Sequence, residues 1–382
     1  MNKNLYLDLH ALQTVPPSCI NRDDTGSPKT AMYGGTLRSR VSSQSWKRAM
    51  RLMFKDEFES EKLGYRTRHV SYLIKKKLKE INAEIDEQKA EELSHKFLQI
   101  AEIESSEKKR QKEKKVLFFI SAKQIESIAR IADSYFREQV ESMKKKDKDS
   151  KEKEYEKLIK EAINKEQSVD IMLFGRMSAK NNNLNYDAAA QVAHAISTHT
   201  ISNEYDYFTA CDDVNITDNE GAGHLGTVEY NSSTLYRYAT VNLGELFYKD
   251  DLTIDEVTNI VKGFTNAFIK SMPTGKQNTF ANRTLPYFVY ATIREDQPIN
   301  LVGAFEKPIK RSEEGFEIAS EKALIDESKC VYENYTAKPK YAFFIGSNNE
   351  YDVDEKMSFK VNFNGLINRL TNVVTNELGK ED

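Results

Sequence analysis

The segment SRVSSQSWKRAMR, residues 39–51, decides the fold, because it predicts the first helix of the chain. Serine is a preferred N-cap residue, so this helix is expected to begin at Ser42 or Ser43. At about 100° per residue, one face of the helix is apolar and carries Trp46, Ala49, Met50, Met53 and Phe54. The opposite face carries Gln44, Lys47, Arg48, Arg51 and Lys55. The helix is therefore amphipathic, with one face for a core and a basic stripe outside.

The charge around this helix points to an external anion. Cations in the first turn oppose the helix dipole, which favours anions at that end, and Lys47 and Arg48 lie there. Between Arg22 and Phe54 the acids are Asp23 and Asp24, whereas the basic residues are Arg22, Lys29, Arg38, Arg40, Lys47, Arg48 and Arg51. The whole chain has a net charge of only −3. Salt screens exposed charges beyond roughly 8–10 Å, so this local segment, and not an overall field, indicates the partner.

Strands and helices are predicted on both sides of the basic helix. NLYLDLH (4–10) alternates as a half-buried strand, and the Pro- and Gly-rich stretch from there to about Arg40 is expected to be a loop. VDIMLFGRM (169–177) indicates a strand ending at Gly175, and DAAAQVAHAIST (187–198) a short helix. LYRYATVNL (235–243) and LPYFVYATI (285–293) indicate strands, and residues 253–269 a helix that opens with a capping box. KYAFFIG (340–346) and an amphipathic stretch from Phe363 to Val374 close the chain.

The block from 60 to 167 differs in composition from its surroundings. Lysine and glutamate dominate it in nearly balanced numbers, which favours helices with solvated charged faces, joined by loops near 105–115 and 143–153. Without this block, the short helix and the polar stretch 205–233, the order is strand, helix, strand, strand, helix, strand. That order predicts an α+β, ferredoxin-like fold of the RNA-recognition-motif (RRM) type, with one face of its sheet left free.

Several classes of protein are disfavoured. Cys19, Cys211 and Cys330 are far apart and no ligand spacing is present, so free thiols and no metal or other cofactor are expected. His194 and His199 are five residues apart, off a shared metal-binding face. The N-terminus lacks a signal-peptide pattern, and no apolar run approaches the roughly 18–20 residues of a membrane span. A cytoplasmic protein without a membrane partner is expected.

A resemblance to a known family rests on motifs that occur in order along the chain. They are PPSCINRDD (16–24), YGGTLRSRVSSQSWKRAMR (33–51), VDIMLFGRM (169–177), AHAISTHT (193–200), DYFTACDD (206–213), HLGTVEYNSSTLYRYATVNL (224–243), PTGKQNTFA (273–281) and AFEKP (304–308). These segments resemble the CasC family, the backbone subunit of the type I-E CRISPR Cascade complex. The charged block and the chain beyond about 310 carry no matching motif.

The resemblance implies a right-hand architecture of palm, fingers and thumb. The palm would comprise residues 1–59, 168–202 and 232–382 with the C-terminal helix; the fingers would be the insertion 60–167 and the thumb hairpin 203–231. Several copies would assemble along one CRISPR RNA (crRNA) with other Cascade subunits and present the guide for pairing with target DNA. No catalysis is expected of a subunit of this family.

Candidate RNA-binding residues follow from the charge pattern and the resemblance together. Phosphate contacts are expected from Arg22, Lys29, Arg38, Lys47, Arg48, Arg51 and Lys276, and neutral hydrogen bonds from Ser42, Ser43 and Gln44. Such contacts position an RNA without reading its sequence. Surface salt bridges within the chain are the alternative for the cations.

Three apolar or small residues are also candidates. The resemblance suggests that Met177 packs against or between guide bases, although core packing is the ordinary role of such a residue. Phe208 and Thr209 are placed where the thumb leaves the palm. Phe208 is expected either to stack on a displaced base, worth about 1–3 kcal/mol, or to pin the base of the hairpin.

Two other functions stay open from the sequence. One is a metal-independent endoribonuclease that processes repeat RNA, with His10 as the candidate general base; fold analogy alone supports it. The other is a structural protein whose basic helix docks an acidic partner protein.

Overall fold

The computed structural model describes residues 4–104, 117–141, 148–178, 181–209, 225–346 and 358–380. The chain divides into two compact units, Met1–Met53 with Ala190–Asp382, and Phe54–Ala189. The strands are β1 (Tyr6–Ser18), β2 (Thr30–Tyr33), β3 (Thr36–Val41), β4 (Gly64–Thr67), β5 (Phe118–Ser121), β6 (Ala190–Val192), β7 (Ala195–Ser197), β8 (Glu204–Thr209), β9 (Leu225–Asn242), β10 (Phe288–Arg294), β11 (Tyr341–Ile345) and β12 (Ser358–Lys360).

The helices complete a mixed α+β structure. They are α1 (Ser43–Glu57), α2 (Val70–Ile81), α3 (Glu87–Ile100), α4 (Ala122–Glu141), α5 (Lys148–Asn164), α6 (Val169–Phe174), α7 (Leu243–Lys249), α8 (Ile254–Lys270), α9 (Gln277–Phe280), α10 (Glu317–Asn334) and α11 (Phe363–Leu378). None of the helices within the described ranges is long and apolar enough to cross a membrane.

A single large sheet organises the first unit. Its strand order is β12-β11-β10-β1-β9-β7-β3-β2, and β6 and β8 also pair with β9. β11 and β12 are parallel, and the other pairs are antiparallel. β9 is long because it first pairs with β8, as an arm, and then continues into the sheet beside β1.

Both faces of the central strand are buried, contrary to the expected half-buried strand. In β1, Leu7 and Leu9 alternate with Asp8 and His10, and all four are fully buried. Residues further along the Leu7 face pack with Trp46 of α1; this cluster contains Val15, Val41, Ala195, Leu235 and Met272. The sheet therefore has a layer on the side where α1 lies.

The second face of the sheet is covered as well. Leu12, Tyr236 and Tyr290 on this face pack against Leu301, Phe305, Leu324 and Ile325, from the segment after β10 and from α10. The expectation of a free sheet face is therefore wrong, because the chain beyond β10 folds back and adds a layer that the strand-helix order does not reveal.

Several element predictions are confirmed and three are wrong. The strands in β9 and β10 and helices α1, α8 and α11 are as expected, and Thr253 and Glu256 form the predicted capping box. Residues 169–174 form helix α6 instead of a strand, since Ser168 accepts the first helical bonds from Ile171 and Met172. The expected short helix at 187–198 is instead the strands β6 and β7, both paired to β9. The expected loop before Arg40 contains the rest of β1 and the β2–β3 hairpin.

Helices with charged outer faces form the second unit, as the Lys/Glu pattern predicts. Ile74, Phe97, Ile128 and Ile159 from α2, α3, α4 and α5 share one apolar core. Ion pairs such as Lys160–Glu156, at 2.6 Å, lie on the outside. The predicted loop near 105–115 and residues 143–147 of the one near 143–153 lie outside the described residues, but 148–153 belong to α5.

Candidate nucleic-acid interface

The start of α1 is fixed by its own cap and by a neighbouring loop. The Ser42 hydroxyl accepts a hydrogen bond from the Ser45 amide at 3.3 Å, as an N-cap does. The Ser42 amide donates to Oδ1 of Asn21 at 2.8 Å. The serine is buried and holds the loop 19–29 against the helix start, and its predicted hydrogen bond to RNA stays a prediction.

The apolar face of α1 is locked beneath a buried arginine. Trp46 is 1% exposed, and the guanidinium carbon of Arg237 lies 3.7 Å from the centroid of its ring. Arg237 is held by Gln13 Oε1 at 2.6 Å and by the Phe268 carbonyl. Because this face is fixed, the polar face turns outward.

The outward face of α1 presents the predicted polar residues. Gln44 and Arg48 are exposed, and Ser43, Lys47 and Arg51 are partly buried. Burial lowers the pKa of Lys47. One helix thus brings five of the predicted contact residues into a single row.

A short loop carries Arg22 and Lys29 beside the helix start. The Lys29 amide donates to the Asn21 carbonyl at 2.9 Å, and Arg22 forms a β-bridge with Pro28, which closes the loop. Asp23 accepts hydrogen bonds from the Thr25 hydroxyl, at 2.7 Å, and from the Thr25 and Ser27 amides. These bonds lower the pKa of Asp23 and engage its carboxylate within the loop itself.

A second loop brings Lys276 to the same place. Gly275 packs directly on the backbone of Cys19 and Ile20, since an added Cβ would lie 2.3 Å from the Ile20 carbonyl oxygen. Lys276 follows in a left-handed conformation with φ 51°. The charges of both Arg22 and Lys276 act on the Cys19 thiol, whose pKa burial raises. The two loops therefore place these cations close together.

Four of the predicted cations are not neutralised by the chain. Arg22, Lys29, Arg48 and Lys276 form no salt bridge with an Asp or Glu within the part of the chain that the structure describes. Unpaired cations on one fixed surface favour an anionic ligand from outside.

Arg38 differs from the prediction. Its side chain is completely buried, and its guanidinium donates to the carbonyls of Ser197 and Phe305, both at 2.9 Å, and of Tyr33 at 3.2 Å. These bonds tie β3 to β7 and to the segment around 305. A phosphate contact by Arg38 does not fit this structure, because the donors are already used inside the protein.

Phe208 and Thr209 lie on the arm formed by β8 and the first part of β9. The pairing runs from Glu204↔Tyr230, next to the sheet, to Thr209↔Leu225. Both residues therefore lie at the outer end of the described arm, not at its base as expected, because β8 begins at Glu204. The ring of Phe208 covers Gly226, where an added Cβ would lie 2.2 Å from it, and the side chain keeps 45% exposure.

The base of the arm is a network of amide side chains that the sequence did not single out. Asn231 is 5% exposed; its Oδ1 accepts from the Ser39 hydroxyl at 3.1 Å and its Nδ2 donates to Asn203 Oδ1 at 3.0 Å. Asn203 in turn donates to Glu229 at 2.6 Å. The sequence signal that could have found this network is Asn231, a polar residue within a stretch that otherwise favours a strand.

Met177 belongs to the second unit and is exposed there. Its exposed fraction is 88%, which contradicts the ordinary core role. Gly175 turns the chain with φ 75°, and the buried Arg176 donates to the Leu184 carbonyl at 2.7 Å. This anchored turn projects Met177 into solvent.

His10, the candidate general base, is inaccessible. Its ring is fully buried, and Nδ1 lies 2.9 Å from the Tyr236 hydroxyl. Burial lowers the pKa of His10 to about 3. The prediction that His10 acts on RNA is wrong, because the added layer over the sheet closes this face. Within the described ranges, no group of three His, Cys, Asp or Glu residues could hold a metal ion.

Comparisons with known proteins agree over nearly the whole chain. The family model described as CT1975-like protein matches residues 7–372. A solved chain described as "CRISPR RNA-guided surveillance complex, pre-nicking" is 29% identical, with 97% of this chain and 100% of that chain covered and a TM-score of 0.79. Another, described as "CRISPR RNA-guided surveillance complex", is 26% identical, with 96% and 99% covered and a TM-score of 0.61.

No curated protein matches the sequence. The family and structural matches confirm the resemblance to subunits of CRISPR surveillance complexes that the motifs indicated. From the extent of the family match, the chain belongs to the family of CT1975-like proteins.

Proposed function

We propose that this chain is a guide-RNA-binding backbone subunit of a Cascade-type CRISPR surveillance complex. The observation that carries the proposal is the set of unpaired cations, Arg22, Lys29, Arg48 and Lys276, on one surface of the first unit. The structural matches also support the proposal, because two solved chains similar to this one are described as "CRISPR RNA-guided surveillance complex".

The binding mode is contact with the RNA backbone. Arginine and lysine recognise phosphates without reading bases, which suits a scaffold for guides of varied sequence. Both faces of the sheet are buried, so bases do not stack on it as they do in an RNA-recognition motif. The RNA instead follows α1 and the loops around Arg22 and Lys276.

The right-hand architecture is part of the proposal. The strand order β10-β1-β9-β7, with α1 between β1 and β7 and α8 between β9 and β10 along the chain, supports a ferredoxin-like palm. The β8–β9 arm corresponds to the thumb, and the helical second unit to the fingers. In this arrangement Met177 and Phe208 are the side chains that meet bases.

The subunit acts as several copies on one guide, together with other Cascade subunits. The guide bases are left exposed for pairing with target DNA. The exposed strand β8, with Tyr205 61% and Tyr207 70% exposed, supports a contact beyond the single chain, because such apolar surface commonly marks an interaction site.

RNAs of increasing length test this proposal directly. Purified protein is mixed with single-stranded RNAs of several lengths, and the masses of the complexes are measured by native mass spectrometry. The number of copies is expected to rise stepwise with RNA length, and binding is expected to weaken steeply with salt. One copy on every RNA would contradict assembly along the guide.

The proposed role is non-catalytic, which a separate assay tests. Labelled CRISPR repeat RNA is incubated with the protein with and without Mg²⁺, and the products are separated by gel. Intact RNA is expected in both. Cleavage would instead support the endoribonuclease, whose candidate base, His10, is buried here.

A further inference from the structure

An arginine and a histidine outside the predicted contact set meet beside Lys29. Arg40 NH1 lies 3.3 Å from Nδ1 of His194, and its Nε donates to the Thr30 carbonyl at 3.1 Å. His194 is exposed, between β6 and β7, and Arg40 is partly buried on β3. The Arg40 amide donates to the Lys29 carbonyl at 2.9 Å, so the three residues are neighbours.

The contact between Arg40 and His194 fixes the state of the imidazole. A guanidinium has only donors, so Nδ1 must accept, and the ring is neutral with its proton on Nε2. Burial, and then the charges of Arg40 and Lys29, lower the pKa of His194. Within the described ranges, neither Lys29 nor Arg40 nor His194 forms an ion pair with an Asp or Glu. Three groups that can carry positive charge are therefore neighbours without a counter-ion from the described chain.

We propose that Lys29, Arg40 and His194 form a phosphate subsite that continues the RNA-binding surface beyond the start of α1. This inference rests on the proposed RNA-binding function. Arg40 precedes the Ser42 cap by two residues, and Lys29 closes the loop that carries Arg22, so the subsite adjoins the other three unpaired cations.

A bound phosphate changes the protonation of the subsite. Its oxygens accept from Arg40 and from a proton gained at His194 Nδ1, so two hydrogen bonds between opposite charges replace one bond from a cation to a neutral ring. The phosphate charge offsets those of Arg40 and Lys29, and the pKa of His194 rises in the complex. Because the complex then holds a proton that the free protein lacks, binding strengthens as the pH falls toward and below the usual histidine pKa.

The test compares RNA affinity across pH in wild type and His194→Gln. The probe is a fluorescein-labelled single-stranded oligouridine, and the dissociation constant is measured by anisotropy at constant ionic strength between pH 8 and pH 6. Wild-type affinity is expected to rise by several fold, up to about tenfold per pH unit for one proton. In His194→Gln this rise is expected to be lost, with an unchanged melting midpoint because the side chain is exposed.

His69→Gln is the matched control, since His69 is an exposed histidine of the second unit. It is expected to keep the wild-type pH slope, which shows that the slope belongs to His194. Arg40→Ala is expected to weaken binding at every pH.

Histidine NMR gives a second readout. The pKa of His194 is expected to rise when oligouridine is added. The subsite is wrong if RNA binds without changing the pKa of His194 and if His194→Gln keeps the pH slope of the wild type. The proposed function stands in that case. If the wild type binds no RNA at any pH, the proposed function and the subsite both fail.

Discussion

Arg22 and Arg48 are the residues on which the phosphate contact can be tested most directly, since both are exposed and unpaired within the described chain. The double variant Arg22→Ala/Arg48→Ala is expected to weaken RNA binding equally for unrelated sequences. The slope of log affinity against log salt should fall by about 0.7 per lost contact on single strands. Filter binding at several salt concentrations measures both effects.

Lys262→Ala is the matched control for those arginines, because Lys262 is an exposed lysine on α8. It is expected to leave affinity and salt slope as they are. Unchanged binding in the arginine double variant would remove the main support for the phosphate contacts.

Trp46 carries the packing of the basic helix. Trp46→Ala is expected to lower the free energy of unfolding by about 3–5 kcal/mol, because it empties a buried site and leaves Arg237 without its aromatic partner. Urea unfolding followed by circular dichroism measures the loss. Gln44→Ala on the exposed face of α1 should stay within about 0.5 kcal/mol of wild type. Equal stability of the two variants would refute the core position of Trp46.

His10 makes the protein sensitive to acid. Its pKa is lowered to about 3 in the folded state, so its contribution to stability is present above its unfolded pKa of about 6.5 and is lost as the pH falls toward 3. Asp8 has the opposite effect on stability. Burial raises its pKa to about 6, so the folded state binds a proton at Asp8 at a higher pH than the unfolded state does, and the folded state gains stability as the pH falls below about 6.

His10→Gln isolates the histidine contribution. Between pH 7 and pH 5 the wild type is expected to lose more unfolding free energy than the variant, by up to about 1.4 kcal/mol per pH unit below 6.5. Urea titrations at several pH values measure this difference. Parallel curves for the two proteins would show that His10 is not held neutral.

At the scale of elements, the arm depends on the amides at its base. Asn231→Leu removes the partners of Ser39 and Asn203 at similar side-chain volume, and each buried polar group left unsatisfied costs about 1–3 kcal/mol. Amide hydrogen exchange in β8 is expected to accelerate, while exchange in α8 stays slow. Asn259→Ala on the exposed side of α8 is the control. Unchanged exchange in β8 would show that the arm is held by its backbone pairing alone.

The elements that could be predicted are those whose signal is local. The capping box of Thr253 and Glu256 and the apolar face of α1 lie within single helices, and both were found from the sequence. The strands β6 and β7 have three residues each and exist because β9 offers an edge to pair with, which no short window contains. Residues 169–174 form a helix but were predicted as a strand, because the period of a short apolar run does not distinguish the two structures.

The candidate site was predicted only in part, because some of its features depend on contacts between residues distant in sequence. The cations of α1 follow from periodicity, Arg22 and Lys29 belong to the basic segment around that helix, and Lys276 lies in a family motif. Whether a cation faces solvent depends on acceptors distant in sequence: Arg38 is buried because the carbonyls of Ser197 and Phe305 accept its donors. The meeting of Arg40 with His194 likewise joins residues far apart in the chain.

At the scale of the whole molecule, the described part of the arm has little support from the rest of its own chain. Every described residue of β8 is exposed, so the arm contributes little to the core of the first unit. Replacing residues 206–228 with Asn-Gly joins Tyr205 to Glu229, a paired position, through a two-residue hairpin turn. The melting midpoint is expected to change little.

The shortened protein separates binding from assembly. It should bind short RNA with the wild-type salt slope, but native mass spectrometry should no longer find added copies as the RNA lengthens. Stepwise addition identical to that of the wild type would show that copies meet through another surface.

β9 crosses from the arm into the middle of the sheet as one unbroken strand, hydrogen-bonded to β8 and then to β1. Where the arm joins the sheet, the pairing of β9 with β1 is irregular, between Val15 and Ser18. Beyond this irregularity the same strand carries Arg237, whose guanidinium covers the ring of Trp46. One backbone segment therefore serves both the arm and the packing of the basic helix, and a substitution in β9 that weakens its pairing with β1 is expected to affect both.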